Sequence, residues 1–215
     1  HQLSLAGQCL DQGELLGVDF EPAAMSHGYA LLDAYQRGGD LIASYAQAPS
    51  ATVSIQIYWR AALFEFAGIA RPSVDLQISV QTSLLDSRPG LRTRSHLPAC
   101  AVERIGSLLA ANHAAIGAST PTFSREAGAG CFVFRPWQGN FSYAEMAHPS
   151  DAAACELHDG ADATEIAHRL FEGNLEKGVI VRGRVRGVVV PRSEDLEFAL
   201  AAWNQFVEQP PPLTT

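Results

Sequence analysis

The sequence has no long apolar run and no excess of basic charge. No stretch of about 18 apolar residues occurs in it, so no transmembrane helix is predicted. Lysine and arginine total 15 against 23 aspartate and glutamate residues, which gives a net charge of −8. Because nucleic acids and anionic membranes both attract basic surfaces, this acidic balance predicts a protein that binds no nucleic acid and no membrane.

Cysteine is scarce and widely spaced. The four cysteines, Cys9, Cys100, Cys131 and Cys155, lie tens of residues apart and form no CxxC pair. This spacing argues against a zinc knuckle or a redox motif. A disulfide framework is typical of small secreted domains, and a chain of 215 residues does not need one. We therefore expect four reduced and mostly buried thiols.

Short catalytic and cofactor motifs are also absent. The chain has no GxSxG, no P-loop and no GxGxxG, and no predicted helix follows the Gly38-Gly39 pair to form a phosphate cradle. No HxH or HxxxH spacing supplies the convergent ligands of a metal site. The sequence therefore predicts no metal and no cofactor. It identifies no catalytic residue, although catalytic triads can assemble from distant positions.

The chain does have enough apolar content for a core. Hydrophobic residues make up 47% of it and charged residues 18%, which excludes a disordered chain and suits a single domain over residues 1–215. No basic segment followed by an apolar one opens the sequence, so we predict no signal peptide and a cytoplasmic location. A chain that begins at His1 rather than Met is compatible with a trimmed N-terminus.

Alternating apolar and polar residues mark the clearest strands. Val53–Arg60 and Val74–Leu84 both alternate, which predicts strands with one buried face, and Leu91–Leu97 is a further strand. We expect four residues of the first two strands to be buried in one sheet: Ile55, Ile57, Ile78 and Val80.

A glycine pair predicts a hairpin near the start of the chain. Tyr29–Gln36 and Asp40–Gln47 are runs of similar length on either side of Arg37-Gly38-Gly39. Tight hairpin turns need positive φ, which glycine adopts readily. A helix over residues 23–37 is the alternative, because alanine and leucine are frequent there.

Other segments have helical spacing. Apolar residues three to four positions apart predict helices over residues 102–117, 162–177 and 193–208. A strand over residues 178–190 separates the last two. The last helix has an apolar stripe that we expect to be buried: Leu196, Leu200, Trp203 and Val207.

Together these patterns predict an α+β fold. An antiparallel β-sheet or sandwich over residues 14–150 forms the core, and helices pack on one of its faces. An α-β-α unit over residues 160–208 ends the chain and packs on this core. No linker is long enough to separate two domains.

Residues 130–151 are the densest in aromatic side chains. They predict two strands, Cys131–Arg135 and Asn140–His148, joined by a turn at residues 136–139. Alternation places Phe141, Tyr143 and Glu145 on one face of the second strand, and Ser142, Met146 and His148 on the other. The candidate ligand site gathers the polar and aromatic residues of this hairpin: Arg135, Trp137, Tyr143, Glu145 and His148.

A second candidate site is a stripe of arginines. Arg182, Arg184 and Arg186 share one face of a predicted strand and could hold an anion through bidentate hydrogen bonds. In so acidic a protein, pairing with carboxylates on neighbouring strands is the favoured interpretation of the stripe.

Three functions are compatible with these features. The first is a non-catalytic binding or interaction protein with a small polar ligand, either a carbohydrate or an anion. The second is a carbohydrate-acting enzyme that uses Glu145 or His148 together with His96. The third is a structural protein that self-associates as a homo-oligomer and has no ligand site.

Overall fold

A computed structural model describes most of the chain. It covers residues 3–5, 8–10, 13–20, 28–47, 52–105, 114–115, 122–124, 130–136, 139–171 and 173–210. Trp137, which belongs to the first candidate site, lies outside these residues.

Strands dominate the described residues. The early strands are β1 (Leu3–Leu5), β2 (Gln8–Leu10), β3 (Glu14–Phe20), β4 (Tyr29–Arg37), β5 (Asp40–Gln47), β6 (Val53–Phe66), β7 (Ile69–Thr82), β8 (Leu91–Pro98) and β9 (Cys100–Ile105). The later ones are β10 (Ala114–Ala115), β11 (Thr122–Ser124), β12 (Cys131–Pro136), β13 (Phe141–Ala147), β14 (Ala152–Asp159), β15 (Ala163–Leu170) and β16 (Ile180–Pro191). A 3₁₀ turn, Arg192–Glu194, leads into the helix α1 (Asp195–Glu208).

Two antiparallel sheets form a β-sandwich. The large sheet has nine strands in the order β10-β9-β12-β13-β16-β7-β6-β5-β4, and the small sheet has five in the order β11-β14-β15-β8-β3. Among the described strands, β1 and β2 pair with each other and with no other strand. The main core lies between the two sheets, and both contribute large apolar side chains to it, such as Ile57 and Leu76 from the large sheet and Leu97 and Ile166 from the small one.

The predicted facing of β6 and β7 is confirmed. Ile55, Ile57, Ile78 and Val80 are each at most 1% exposed and belong to the core between the sheets. Direct cross-strand pairs join Ile55 to Val80 and Ile57 to Ile78.

The helix α1 covers the opposite face of the large sheet. Alternation along β12 and β13 puts Phe132 and Tyr143 in the core between the sheets, and Val133 and Met146 in a second apolar cluster under α1. These central strands are therefore buried on both faces. Deleting α1 would expose this second cluster to water.

The buried stripe of α1 differs from the predicted one. Trp203 is buried as predicted, but Leu200 is 40% exposed. The helix packs mainly through Phe198, Ala202 and Phe206, which are at most 3% exposed.

The α+β prediction is wrong, because the chain is a β-sandwich with one α-helix among its described residues. The segment predicted as a helix over residues 162–177 contains β15, so no α-β-α unit ends the chain. Ile166 and Leu170 lie four positions apart, and this spacing fits one face of a strand as well as one face of a helix. Pairing with β14 on one side and β8 on the other makes the segment a strand.

The helix predicted over residues 102–117 is wrong where the structure describes it. Residues 102–105 belong to β9, and Ala114–Ala115 form β10, while the intervening residues lie outside the described part. Val102 packs between the sheets and Ile105 packs in the cluster under α1. Because Val102 and Ile105 lie on opposite faces of the strand, their spacing of three residues imitates the period of a helix.

The two predicted hairpins are confirmed. β4 and β5 pair across Gly38-Gly39, where Gly38 has φ 62°. β12 and β13 pair within one residue of their predicted ends.

Cysteines and helix length add two further observations. Cys100, Cys131 and Cys155 are buried free thiols, and the Cys9 side chain lies outside the described part. No helix in the described residues is both long and apolar enough to span a membrane.

The first prediction concerns the core. Ile57→Ala is expected to lower the free energy of unfolding by about 2–5 kcal/mol, because it removes buried methyl groups and leaves a cavity. Leu63→Ala is the matched control on the same strand; Leu63 is 68% exposed, so its effect should stay within about 0.5 kcal/mol. Chemical denaturation measures both. Equal effects of the two substitutions would contradict the facing of β6.

Candidate functional site

A polar cluster lies in the middle of the sandwich. Glu145 of β13 has no exposed surface and accepts hydrogen bonds on one carboxylate oxygen from the Tyr143 hydroxyl, at 2.8 Å, and from the Ser95 hydroxyl. Its other oxygen lies 3.1 Å from Nε2 of His168, which is also fully buried. The cluster joins the large sheet to the small one, because Ser95 and His168 belong to β8 and β15.

A bulge in β3 holds the serine in place. Leu16 has φ 55° at an irregularity in the pairing of β3 with β8, and its N–H donates to the Ser95 hydroxyl oxygen at 2.8 Å. The Leu16 carbonyl accepts from the Trp59 indole N–H at 2.8 Å. One strained residue thus connects the edge of the small sheet to the polar cluster and to β6.

A glycine makes room for the phenol ring. Gly187 of β16 lies directly opposite Glu145 in the large sheet. A Cβ atom at this position would collide with the Tyr143 ring and hydroxyl. Glycine is therefore required at this position for Tyr143 to reach the carboxylate.

Two groups of the cluster, His168 and Tyr143, have raised pKa values. Burial lowers the pKa of His168, but the adjacent Cys155 sulfur and Glu145 carboxylate outweigh burial and raise the pKa to about 10. Burial, together with the Glu145 charge, raises the pKa of Tyr143 well above its ordinary value. Both shifts favour the protonated forms of His168 and Tyr143, in surroundings shielded from solvent.

A second polar network fixes the start of α1. Nε and Nη2 of Arg135 donate to the Asp195 carboxylate at 2.7 and 2.9 Å, and Nη1 donates to Glu103 at 2.6 Å. Ser142 also donates to Asp195, at 2.7 Å. Burial alone would raise the pKa of Asp195, but the hydrogen bonds from Arg135 and Ser142 lower it.

His148 lies at the other end of the same helix. Its Nδ1 is 2.8 Å from the Ser150 hydroxyl, Nε2 is 3.3 Å from the Val207 carbonyl oxygen, and its ring packs edge-on against Phe206. Burial and the positive charge of Arg184 lower the pKa of His148.

The arginine stripe is engaged with groups of this chain. Arg184 pairs with Asp151 at 2.7 Å and donates to the Gln209 carbonyl at 2.9 Å. Arg186 pairs with Asp75 and lies over the ring of Phe206. Arg182, half-buried on the same strand, also has an interaction partner. The structure thus has the carboxylate pairing that the sequence favoured for Arg184 and Arg186.

The structure divides the first candidate site between two faces of the large sheet. Tyr143 and Glu145 lie between the sheets, as alternation predicted, whereas Arg135 and His148 contact α1 or the residues around it. These described residues therefore do not line one concavity. The arginine stripe adjoins His148, because Arg184 donates to Ser150, and Arg186 and His148 both contact Phe206.

The sequence did not identify Ser95 and His168, the partners of Glu145 in the small sheet. The histidine beside it is His168, not His96, whose ring is 40% exposed and 3.9 Å from Glu165. His168 could have been recognised only by interpreting Ala163–Leu170 as a strand, with Ile166, His168 and Leu170 inward. No group of three or more metal-ligating side chains occurs in the described residues.

A row of alternating charges crosses five neighbouring strands of the large sheet. Arg37 of β4 lies opposite Asp40, Asp40 opposite Arg60, Arg60 opposite Asp75, and Asp75 opposite Arg186. Arg60 binds both carboxylate oxygens of Asp40, at 3.0 and 3.1 Å. The hydrogen bond from Arg60, and more weakly the charge of Arg37, lower the pKa of Asp40. Opposite charges at paired positions stabilise a sheet.

The row ends at an exposed edge strand. β4 is the last strand of the large sheet, and all of its residues except the first are exposed. Leu31, Leu32 and Tyr35 are 55%, 67% and 44% exposed. The pairing of β4 with β5 is irregular between Leu31 and Asp33, so the regular segment next to the turn runs over residues 33–37.

Comparisons with known proteins identify no family. No family model and no curated protein matches the sequence. A solved structure described as the heparinase III BT4657 gene product is similar, with a TM-score of 0.37 and 8% identity. The match covers 84% of this chain and 24% of that one, so this chain spans about a quarter of its length. A likeness of this strength carries no argument about function.

The second prediction concerns the buried histidine. The pKa of His168 is about 10 in the folded state and about 6.5 in an unfolded chain. The stability contributed by its protonation is complete below pH of about 6.5 and is lost as the pH rises towards about 10. Between pH of about 6.5 and 8.5, the wild type should lose on the order of 2 kcal/mol more stability than His168→Gln.

Denaturation at several pH values measures this difference. His96→Gln is the matched control, because His96 is partly exposed on the neighbouring strand, and it should keep the pH dependence of the wild type. A His168→Gln protein with that same pH dependence would contradict a charged imidazole in the core.

Proposed function

We propose that the protein is a non-catalytic interaction module that binds another polypeptide along the edge of β4. The observation that carries this proposal is the exposure of β4 at every position after the first, on a strand with one described partner. An edge strand has unpaired backbone N–H and C=O groups, and extended polypeptides bind by adding a strand to such an edge.

The composition of β4 supports this interpretation. Natural edge strands are usually protected by lysine, proline or inward-pointing charge. β4 has neither lysine nor proline; it has two charged residues, Asp33 and Arg37, and it also exposes Leu31, Leu32 and Tyr35. Its bulge limits pairing to one segment but does not cover the edge.

Catalysis has less support. Glu145, Tyr143 and His168 are an acid, a phenol and an imidazole in mutual contact, but Glu145 and His168 have no exposed surface. A general acid or base must come within hydrogen-bonding distance of its substrate. The small polar ligand also has less support, because Arg135, Arg184 and Arg186 already pair with carboxylates of the same chain.

The third prediction tests the binding surface. A photo-crosslinking amino acid at Tyr35, introduced into the full chain in its native host, should form adducts with a protein. Tyr35 and the control position Glu197 on α1 are both exposed. Mass spectrometry identifies the adducts. If Tyr35 gives no more protein adduct than Glu197, the β4 edge is not the binding surface.

A further inference from the structure

We infer that the polypeptide bound at the β4 edge is a second copy of this chain, paired antiparallel with its twofold axis at Tyr35. This inference rests on the proposed function of the edge and specifies its partner. The two large sheets would then form one continuous sheet across the dimer.

Charge selects the register. β4 has two charged residues, Asp33 and Arg37, and both lie on the same face as Tyr35 because they are two positions from it. A twofold axis at Asp33 would place two aspartates opposite each other, and an axis at Arg37 would place two arginines opposite each other. An axis at Tyr35 places Asp33 opposite Arg37 of the second copy, and it does so twice.

The same register extends the row of charges. Within one copy the row runs from Arg186 through Asp75, Arg60 and Asp40 to Arg37 and alternates in sign at each strand. The next strand would therefore continue the pattern with an acid, and the second copy supplies Asp33 at that position. Inside its own sheet Asp33 lies opposite Ser44, a neutral residue.

The regular edge has the right length for this pairing. Residues 33–37 follow the bulge and precede the turn, and an axis at Tyr35 pairs this segment with itself from end to end. Beyond it, Leu32 would lie opposite Gly38, which has open space around its Cβ position. A segment this short forms a small interface, so we expect a reversible dimer whose affinity falls as salt screens the exposed charges.

The fourth prediction tests the register with charge substitutions. Asp33→Arg places arginines opposite each other in the dimer, and Arg37→Asp places aspartates opposite each other. Each variant alone should raise the dimer dissociation constant by about tenfold or more. An equimolar mixture of the two should dimerise again, because every facing pair in the mixed dimer has opposite charges. Sedimentation velocity distinguishes the 23.0 kDa chain from a dimer of twice that mass.

Arg37→Asp places a second carboxylate opposite Asp40. If that variant does not fold, two further variants test the same register. Tyr35→Lys places two lysines on the twofold axis and should give a monomer, whereas Glu197→Lys should dimerise as the wild type does. A wild type that stays monomeric at every concentration would overturn the self-pairing. A dimer whose dissociation constant does not change with the charge substitutions would overturn it too. Adducts at Tyr35 with a different protein, without a dimer, would overturn the self-pairing and retain the proposed edge.

Discussion

A buried carboxylate joins the two sheets, and the arrangement of the sandwich depends on it. Glu145 belongs to the large sheet, while Ser95 and His168 reach it from the small sheet. A buried charge without partners costs several kcal/mol, so only a stacking of the sheets that brings these groups together is favourable. Within the large sheet, the close contact of Gly187 with Tyr143 holds the phenol beside the carboxylate. The cluster therefore favours this alignment of the two sheets.

Charges on the other face of the large sheet have a different role. Asp195, in the first turn of α1, pairs with Arg135 of β12. Arg184 of β16 pairs with Asp151 and also donates to the Gln209 carbonyl just after the helix, so these contacts hold α1 over the sheet. Toward the far edge the pairs become a row whose signs alternate from strand to strand and end at the exposed Arg37. Within the described part of the chain, seven arginines pair with carboxylates of the same chain. The end of this row is the place where a new partner can continue it.

Local patterns predicted much of the fold and only part of the site. Alternation was sufficient over residues 53–60 of β6 and 74–81 of β7, which have buried apolar side chains on one face and polar side chains on the other. It also placed Glu145 and His148, the residue after β13, on opposite faces of the large sheet. It failed in β9 and β15: Val102 and Ile105 lie on opposite faces of β9 at a helix-like spacing of three, and the apolar spacing of four in β15 fits both helix and strand. His168 could not be predicted as the partner of Glu145, because the contact joins strands of different sheets.

Hydrogen exchange at different protein concentrations tests most directly whether β4 is the binding edge. If the edge pairs with a second copy, the amide protection of residues 33–37 should rise with protein concentration. Protection of Leu91–Pro98, a central strand of the small sheet, should remain constant over the same range. Protection of residues 33–37 that does not change with concentration would contradict pairing at this edge.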